Sequence, residues 1–446
     1  MSRPSLPSMR AAAAGILAAV VLSGCGIGEW FAEPEVRLPG ERVSVLELAT
    51  ELEPDPLLAD LDVVLPDPVD YPDWPQAGLL PNHAPQHVAW TGGYAEAWRS
   101  SIGEGTGGDQ FLLSPPVVAN GRVFASDADG NVTALSASTG EELWQVRVAS
   151  PYEDSVPLGG GVAYDEGRLY VTTGFGEVMA IDPSNGGLIW REETNGPVRA
   201  PPSVRDGRVI VVTIDNQTEA YDAETGAVIW THAGILETAG VIGGAAPAIG
   251  ADVVVVPYSS GQVVALRAES GRPVWSETLT SALRVNALST ISDIRGMPVL
   301  DRDLVFAVSH SGRMVALDLR SGARRWEQQI ASIQSPWAAG DFVFVLTINA
   351  EVVALTRDTG EIRWVASLPQ WEYPEDHEDQ IIWAGPVLAG GELVVVGSAG
   401  EGARIDPLTG NIIGYWDLND GATVPPIAAD GFLLVLDDGG TLTAYR

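Results

Sequence analysis

The chain has 446 residues, and its 59 Asp and Glu outweigh 25 basic residues, all of them Arg, for a net charge of −34. A charge of this sign and size opposes binding to nucleic acid, which is therefore excluded as a partner class. High Gly (50) and Pro (31) with 46% hydrophobic residues favour many short strands and turns over helices. The acidity is typical of a well-hydrated surface, of adaptation to salt, or of a face that docks a basic partner.

Residues 1–24 have the layout of a lipoprotein signal peptide. Two arginines precede an apolar run at 11–21 that is too short to span a membrane comfortably. The run ends in Leu-Ser-Gly-Cys, the pattern of a bacterial lipobox, and Cys25 is the single cysteine of the chain. We expect cleavage before Cys25 and acylation, palmitate included, because several acyl chains anchor a protein stably. Gly26 follows in place of Asp, and resemblance to sorted lipoproteins then implies the inner leaflet of the outer membrane, on the periplasmic side.

Residues 25–90, which begin with the lipidated cysteine, are rich in Pro and acids and show little periodicity. This composition predicts an extended, semi-rigid tether that holds a folded domain at 91–446 away from the bilayer. His83 and His87 have the spacing of two metal ligands on a helix, but Pro85 lies between them and opposes a helix. Zinc sites normally use three or four ligands, so no metal site is predicted.

A long-period repeat is the informative feature of residues 91–446. Six segments place Ala ten residues before Trp, with a Gly after Thr, Ser or Asn between them, and the successive Trp residues are 46, 40, 45, 51 and 38 apart. One more Trp stands 46 residues before the first of these. The Trp residues of the pattern are Trp98, Trp144, Trp190, Trp230, Trp275, Trp326 and Trp364. Bulky aromatics at a fixed repeat position are usually core, so we expect these rings to fill the space between neighbouring sheets.

Each repeat is predicted to be a four-stranded antiparallel sheet. A seventh copy is degenerate and has Gly414 where Trp is expected. Three strands of an eighth unit end the chain, and its missing fourth strand is present at 94–102, which would close the ring and leave no open sheet edge. The sequence therefore predicts an all-β, eight-bladed β-propeller of four-stranded antiparallel blades, the last blade closed by the N-terminal strand.

The repeat resembles the tryptophan-docking motif of quinoprotein alcohol dehydrogenases and their non-catalytic relatives. A catalytic member of that family would bind pyrroloquinoline quinone at the propeller axis. The resemblance would then also imply Ca²⁺, a catalytic Asp and typically an adjacent Cys pair. This chain has no Cys pair and lacks the blade-bridging insertions, and its His232, His310 and His377 lie in unrelated contexts. No catalytic residue and no cofactor is predicted.

A closer resemblance is to the BamB family of lipoproteins from the outer-membrane β-barrel assembly (BAM) machinery. It covers residues 90–446 and the lipobox, and is carried by SPPVVANGRVF (114–124), GQVVALRAESGRPVW (261–275), the segment 292–322 and WAGPVLAGGELVV (383–395). LPGERVSVLEL (38–48) looks like the alphaproteobacterial branch. The resemblance implies a non-enzymatic scaffold that binds a POTRA domain of BamA, and through it the BAM complex, and aids folding and insertion of nascent outer-membrane proteins.

The family's partner contacts are a Leu-x-Leu-Arg-Gly loop and an Asp-x-Asp loop. By resemblance the first falls on residues 239–243 and the second on residues 293–295. The expected partner-binding residues are Val241, Ile242, Gly243, Asp293, Ile294 and Arg295. Gly243 and Asp293 match the family, whereas Val241 and Ile242 stand where Leu and Arg are expected and Arg295 replaces an acid.

The sequence is also compatible with other roles for these loops and for the whole chain. Both loops could merely connect blades, since loops carry function only when a partner is set against them. The acidic, aromatic segment 371–380 is a second candidate contact or a solvated loop. The rival functions are a different periplasmic binding propeller and a quinoprotein-like enzyme.

The lipobox generates a direct prediction. Replacing Cys25 by Ala removes the acylated thiol, so Cys25→Ala should leave the signal uncleaved or release a soluble form. Cell fractionation with an assay for acyl chains measures this. A Cys25→Ala variant that still sediments with the outer membrane and carries acyl chains would contradict the lipobox.

Overall fold

The computed structural model describes residues 52–108, 110–148, 159–237, 243–280 and 293–446. These ranges form eight four-stranded sheets and one two-stranded hairpin, and every strand pair is antiparallel. Within them, helix is confined to a 3-10 turn at Pro56–Leu58, and none is long and apolar enough to cross a membrane. The predicted all-β, eight-bladed propeller is confirmed. Cys25 lies outside the described residues.

In blades 1 to 4 the strands follow the chain from an inner first strand to an outer fourth strand. Blade 1 contains β2 (Val117–Ala119), β3 (Arg122–Ser126), β4 (Asn131–Ser136) and β5 (Glu142–Arg147); blade 2 contains β6 (Gly160–Asp165), β7 (Arg168–Thr173), β8 (Glu177–Ile181) and β9 (Leu188–Glu193); blade 3 contains β10 (Ser203–Arg205), β11 (Arg208–Val212), β12 (Gln217–Asp222) and β13 (Val228–Ala233); blade 4 contains β14 (Ala248–Ile249), β15 (Val253–Pro257), β16 (Gln262–Arg267) and β17 (Pro273–Thr278).

Blades 5 to 7 repeat this order, and blade 8 combines the two ends of the described chain. Blade 5 contains β18 (Val299–Asp301), β19 (Leu304–Val308), β20 (Met314–Asp318) and β21 (Arg324–Gln328); blade 6 contains β22 (Trp337–Ala339), β23 (Phe342–Leu346), β24 (Glu351–Thr356) and β25 (Ile362–Ser367); the hairpin is β26 (Trp371–Tyr373) and β27 (Glu378–Gln380); blade 7 contains β28 (Trp383–Ala389), β29 (Glu392–Gly397), β30 (Glu401–Ile405) and β31 (Ile412–Asp417); blade 8 contains β32 (Ile427–Ala429), β33 (Phe432–Leu436), β34 (Thr441–Tyr445) and, outermost, β1 (Glu96–Ser101).

The repeated Trp residues join each blade to the next one. The indole Nε1 of Trp98 donates to the carbonyl of Ala137 at 3.1 Å, and a Cβ built on Gly140 would lie 2.4 Å from the Trp98 ring. Gly140 also has a φ of +72°, so the turn favours glycine for two reasons. The same pairing recurs as Trp144 with Gly186, Trp190 with Gly226, Trp230 with Gly271, Trp275 with Gly322, Trp326 with Gly360 and Trp364 with Gly410. Each of these rings therefore lies at the junction between two neighbouring blades.

The ring of blades closes at blade 8 as the sequence predicts. Strand β1 pairs with β34, placing Trp98 opposite Ala444. The pairing continues beyond the strands, since the amide of Arg446 donates to the carbonyl of Ala95 at 2.9 Å. The N-terminal strand thus covers what would otherwise be an unpaired edge.

Residues 52–90, which we name the strap, differ from the expected tether. They pack on the propeller, and Trp74, Leu79, Val88 and Trp90 are buried in its largest hydrophobic cluster. The amide of Asp55 also donates to the carbonyl of Ile362 on the outer strand of blade 6. Residues 52–90 therefore belong to the folded unit although their composition is that of a linker. The folded unit starts before the expected boundary at residue 90.

The strap runs around one end of the propeller axis and bonds to the blades one after another. Its residues 71–88 form hydrogen bonds with the first strand of each blade or with the turn that ends it. The partners, from blade 1 to blade 8, are Val118, Tyr164, Val204, Ile249, Leu300, Gly340, Leu388 and Asp430. The strap therefore ties the eight blades together at the end of the axis where first strands turn into second strands.

Two histidines of the strap serve as hydrogen-bonding groups. His83 Nδ1 lies 2.8 Å from the carbonyl of Pro298, and His87 Nδ1 lies 2.8 Å from the carbonyl of Pro66. The Nε2 of His87 accepts from the amide of Gly391. Burial lowers the pKa of His83 to about 4. Among the described residues, no group of three or more His, Cys, Asp or Glu could hold a metal ion.

We expect Trp74→Ala to destabilise the whole propeller. The Trp74 side chain is 2% exposed and packs 6.5 Å from the ring of Trp337, measured between ring centroids. Truncating a buried Trp commonly costs about 3–5 kcal/mol. Denaturant unfolding measures the loss, and Trp371→Ala, in the hairpin, is the matched control. Equal midpoints for the two variants would show that the strap does not pack in solution.

Candidate partner-binding face

The two ends of each blade carry different connections. The turns between the first and second strands and between the third and fourth strands lie at one end, together with the strap; we name this the strap face. The turns between the second and third strands and the connections between blades lie at the other end, which we name the loop face. Antiparallel pairing within each sheet fixes this division. The loops expected to bind a partner connect blades 3 and 4 and blades 4 and 5, so both belong to the loop face.

Gly243 and Arg295 bring these two loops into contact. A Cβ built on Gly243 would lie 3.0 Å from Nε of Arg295, and the φ of Gly243 is +95°. A side chain at residue 243 would therefore both strain the backbone and push against the guanidinium. Burial lowers the pKa of Arg295, while the carboxylate of Asp293 opposes that shift.

Asp293 and Ile294 lie inside the protein and not at its surface. Asp293 is 3% exposed and Ile294 is 2% exposed. An Asp293 carboxylate oxygen lies 3.5 Å from Nη1 of Arg199, and the Asp293 carbonyl accepts from the amide of His310. Direct contact with a partner, expected from the sequence, does not fit such burial. The geometry instead gives Asp293 and Ile294 a positioning role for the neighbouring loops.

Arg199 extends this arrangement to a third connection between blades. It precedes the first strand of blade 3, and a Cβ built on Gly244 would lie 2.8 Å from its Cβ. Arg199, Gly244 and Asp293 therefore join the connections that enter blades 3, 4 and 5. A partly buried ion pair fixes geometry more reliably than an exposed one, because solvent screens it less. Val241 and Ile242 lie outside the described residues.

The structure adds two exposed apolar residues that the sequence reasoning did not select. Ile235 and Leu236 are 55% and 63% exposed and begin the connection from blade 3 to blade 4. The side-chain amide of Asn216 donates to the carbonyl of Ile235 at 2.6 Å, which holds the start of this loop. The sequence does mark this pair, because two apolar residues follow Gly234 beyond the end of a strand, where the core does not require them.

The acidic segment 371–380 forms the exposed hairpin β26–β27 on the same face. It connects blades 6 and 7, and the rings of Trp371 and His377 meet edge to face with centroids 5.7 Å apart. Gln370 fixes its base by donating to the carbonyl of Asn349 at 2.6 Å. The hairpin is two blades away from the Gly243–Arg295 contact, so the loop face presents two separate candidate surfaces.

A small cavity on the propeller axis lies between the strap and the loop face. Its volume is about 110 Å³, and its lining includes Trp74, His83, Arg295 and Gln334. Sites for small molecules and organic cofactors usually measure about 300–1,000 Å³. The axial space therefore does not fit a cofactor of the size of pyrroloquinoline quinone.

Comparison with known proteins decides the family. The family model described as "Outer membrane protein assembly factor BamB" matches residues 84–156 and 128–366. The chain belongs to the BamB family. BamB proteins of Escherichia coli K12 and Salmonella typhimurium LT2 are 31% and 30% identical to it, each over 78% of this chain and 87% of the relative. BamB from Moraxella catarrhalis superposes with a TM-score of 0.63 at 22% identity, covering 78% of this chain and 99% of that structure.

Quinoprotein propellers share the fold of this BamB-family chain. Quinohemoprotein alcohol dehydrogenase from Comamonas testosteroni superposes with a TM-score of 0.62 over 84% of this chain and 80% of that structure, at 15% identity. At that identity the likeness shows the fold alone. Curated BamB relatives of the chain are named as assembly factors of the outer membrane.

Proposed function

We propose that the chain is a non-enzymatic scaffold subunit of the BAM complex that aids folding and insertion of nascent outer-membrane proteins. Membership of the BamB family supports the proposal. The lipobox at Cys25 supports a lipid anchor in the outer membrane, with the propeller on the periplasmic side. The small axial cavity argues for binding through the outer surface of the propeller rather than for catalysis on its axis.

The partner in this proposal is a POTRA domain of BamA, held by the loop face. The observation that carries it is the exposed apolar pair Ile235 and Leu236, which lies on the connection from blade 3 to blade 4 that also reaches Arg295 through Gly243. Apolar side chains at the centre of an interface supply most of the binding free energy, and neighbouring charges set orientation and specificity. The positive Arg295 stands where the family pattern has an acid, so we expect an acidic group opposite it on the partner.

Asp293 is too buried for a variant at that residue to test the interface. Removing its carboxylate would leave Arg199 without this ion-pair partner in a partly buried site. A loss of affinity in such a variant could then come from a loss of stability and not from a lost contact with the partner. An exposed residue avoids this difficulty. Leu236 is suitable because its side chain is 63% exposed in the free chain.

We predict that Leu236→Asp weakens binding to the BamA periplasmic region while the melting temperature stays nearly unchanged. Burying a Leu side chain contributes about 1.5–3 kcal/mol, which corresponds to a loss of roughly ten- to a hundredfold in affinity. Co-purification from solubilised outer membranes and a direct titration measure the effect. Leu57→Asp, the same substitution at a 91% exposed residue of the strap, is the matched control and should bind normally.

Retained affinity in a folded Leu236→Asp variant would move the interface away from this loop. The hairpin at 371–380 is then the next surface to alter. Absence of BamA from the co-purified material in the parent chain would contradict the proposed function itself.

A further inference from the structure

A second cavity opens on the strap face between blades 3 and 4, away from the proposed partner loops. Its volume is about 500 Å³. Four arginines line it, namely Arg205, Arg208, Arg267 and Arg272. This is a notable concentration of positive charge, because the whole chain has 25 basic residues against 59 acidic ones.

Two neighbouring blades supply the arginines through short, well-bonded turns. Arg205 ends the first strand of blade 3 and Arg208 begins the second. Arg267 and Arg272 flank the turn between the third and fourth strands of blade 4, where the amide of Arg267 donates to the carbonyl of Arg272 at 2.8 Å. Arg205, Arg208 and Arg267 therefore lie at strand ends, and Arg272 lies in the adjoining turn.

The charge of this cavity is only partly compensated. Arg205 donates to the carbonyl of Ile249 at 3.1 Å and lies 3.4 Å from the exposed carboxylate of Asp206. Arg208 donates from Nη1 to the carbonyl of Asp206 at 3.2 Å, a neutral acceptor. Asp206, Asp252 and Glu269 are the acids of the lining, three against four arginines. The balance is thus reversed relative to the chain as a whole.

Arg208 leaves one donor without an acceptor. Its Nε is buried and has no hydrogen-bond partner among the described residues. An unsatisfied buried donor of a charged group costs free energy, so the hydrogen bonds of the Arg208 guanidinium are incomplete within the described residues. Within the same described part of the chain, the side chains of Arg267 and Arg272 form no ion pair. Guanidinium groups free to bind thus remain on both sides of the cavity.

We propose that this cavity binds a phosphate group. The planar guanidinium fork matches phosphate oxygens in pairs, and several arginines around one space suit an anion with three or four accessible oxygens better than a single carboxylate. The volume exceeds that of a bare ion and admits a substituted phosphate. Two sources share this chemistry, a soluble phosphate compound and the headgroup of an anionic phospholipid.

The test uses the chain without residues 1–25, so that neither the apolar run of the signal nor an acyl anchor contributes; the unit that carries the cavity spans residues 52–446. Binding of inorganic phosphate is titrated calorimetrically at constant ionic strength. Flotation then compares vesicles of phosphatidylcholine with vesicles that also contain phosphatidylglycerol. The variant Arg267→Gln with Arg272→Gln removes two exposed side chains of the cavity.

Arg320→Gln with Arg325→Gln is the matched control. Arg320 lies at the equivalent turn of blade 5 and Arg325 on the strand that follows it, and the pair removes the same charge outside the cavity. We expect saturable phosphate binding in the parent and in the control. The cavity variant should bind at least about tenfold more weakly at an unchanged melting temperature, because charge-assisted hydrogen bonds are lost.

The two sources give different outcomes. Preference for phosphatidylglycerol that free phosphate abolishes would identify a lipid headgroup, whereas phosphate binding without vesicle preference would identify a soluble ligand. The proposal is overturned if the parent binds neither probe, if both double variants lose binding equally, or if acetate competes as well as phosphate.

Discussion

The contact on which this propeller depends is the one between a Trp ring and the turn glycine of the next blade. At seven junctions the ring lies so close that a Cβ on the glycine would come within 2.4–3.1 Å of it. At the first of these junctions the indole N–H also donates to a carbonyl of the receiving turn, Ala137 at 3.1 Å. The glycine that receives a ring and the Trp that the same blade passes on lie in one hairpin, where Ala134 pairs with Trp144. That hairpin keeps the Ala-to-Trp distance constant while the lengths between motifs vary. Insertions are confined to the connections, which is where the loop face has its distinctive residues.

The exception at Gly414 follows from the same contact. Blade 8 takes its third strand from one end of the described chain and its fourth strand from near the other, so it lacks the turn that would receive a Trp from blade 7. A ring at residue 414 would have nothing to dock on, and no atom lies within 4 Å of a Cβ built there. Trp416 and Tyr94 fill the junction instead, with ring centroids 4.5 Å apart, and the guanidinium of Arg404 lies over Tyr94. The N-terminal stretch thus supplies the closing strand, part of this cluster and the strap.

The periodic motif was sufficient to predict the blades, the strand that closes them and the family, because Ala, Gly and Trp recur at fixed spacing within the hairpin of each repeat. The strap could not be predicted in this way. Its hydrogen bonds go mostly to main-chain groups of eight different blades, which leave no pattern in the sequence, and its Pro-rich, acidic composition is that of a linker. The burial of Asp293 depends on Arg199, two blades earlier, so a motif read along one loop could not distinguish a positioning carboxylate from a surface one. The arginines around the second cavity are likewise brought together only by the packing of blade 3 against blade 4.

The free energy of unfolding of two opposite variants tests the central role of the Trp-to-turn contact most directly. Trp230→Gly removes a ring that packs on Gly271 and whose Nε1 donates to the carbonyl of Ala268 at 2.9 Å. Gly414→Trp adds a ring at the one junction without a receiving turn. We expect the free energy of unfolding to fall by at least about 3 kcal/mol in Trp230→Gly and to change by no more than about 0.5 kcal/mol in Gly414→Trp. A gain of several kcal/mol from Gly414→Trp, or a loss from Trp230→Gly no larger than that of a surface substitution, would contradict it.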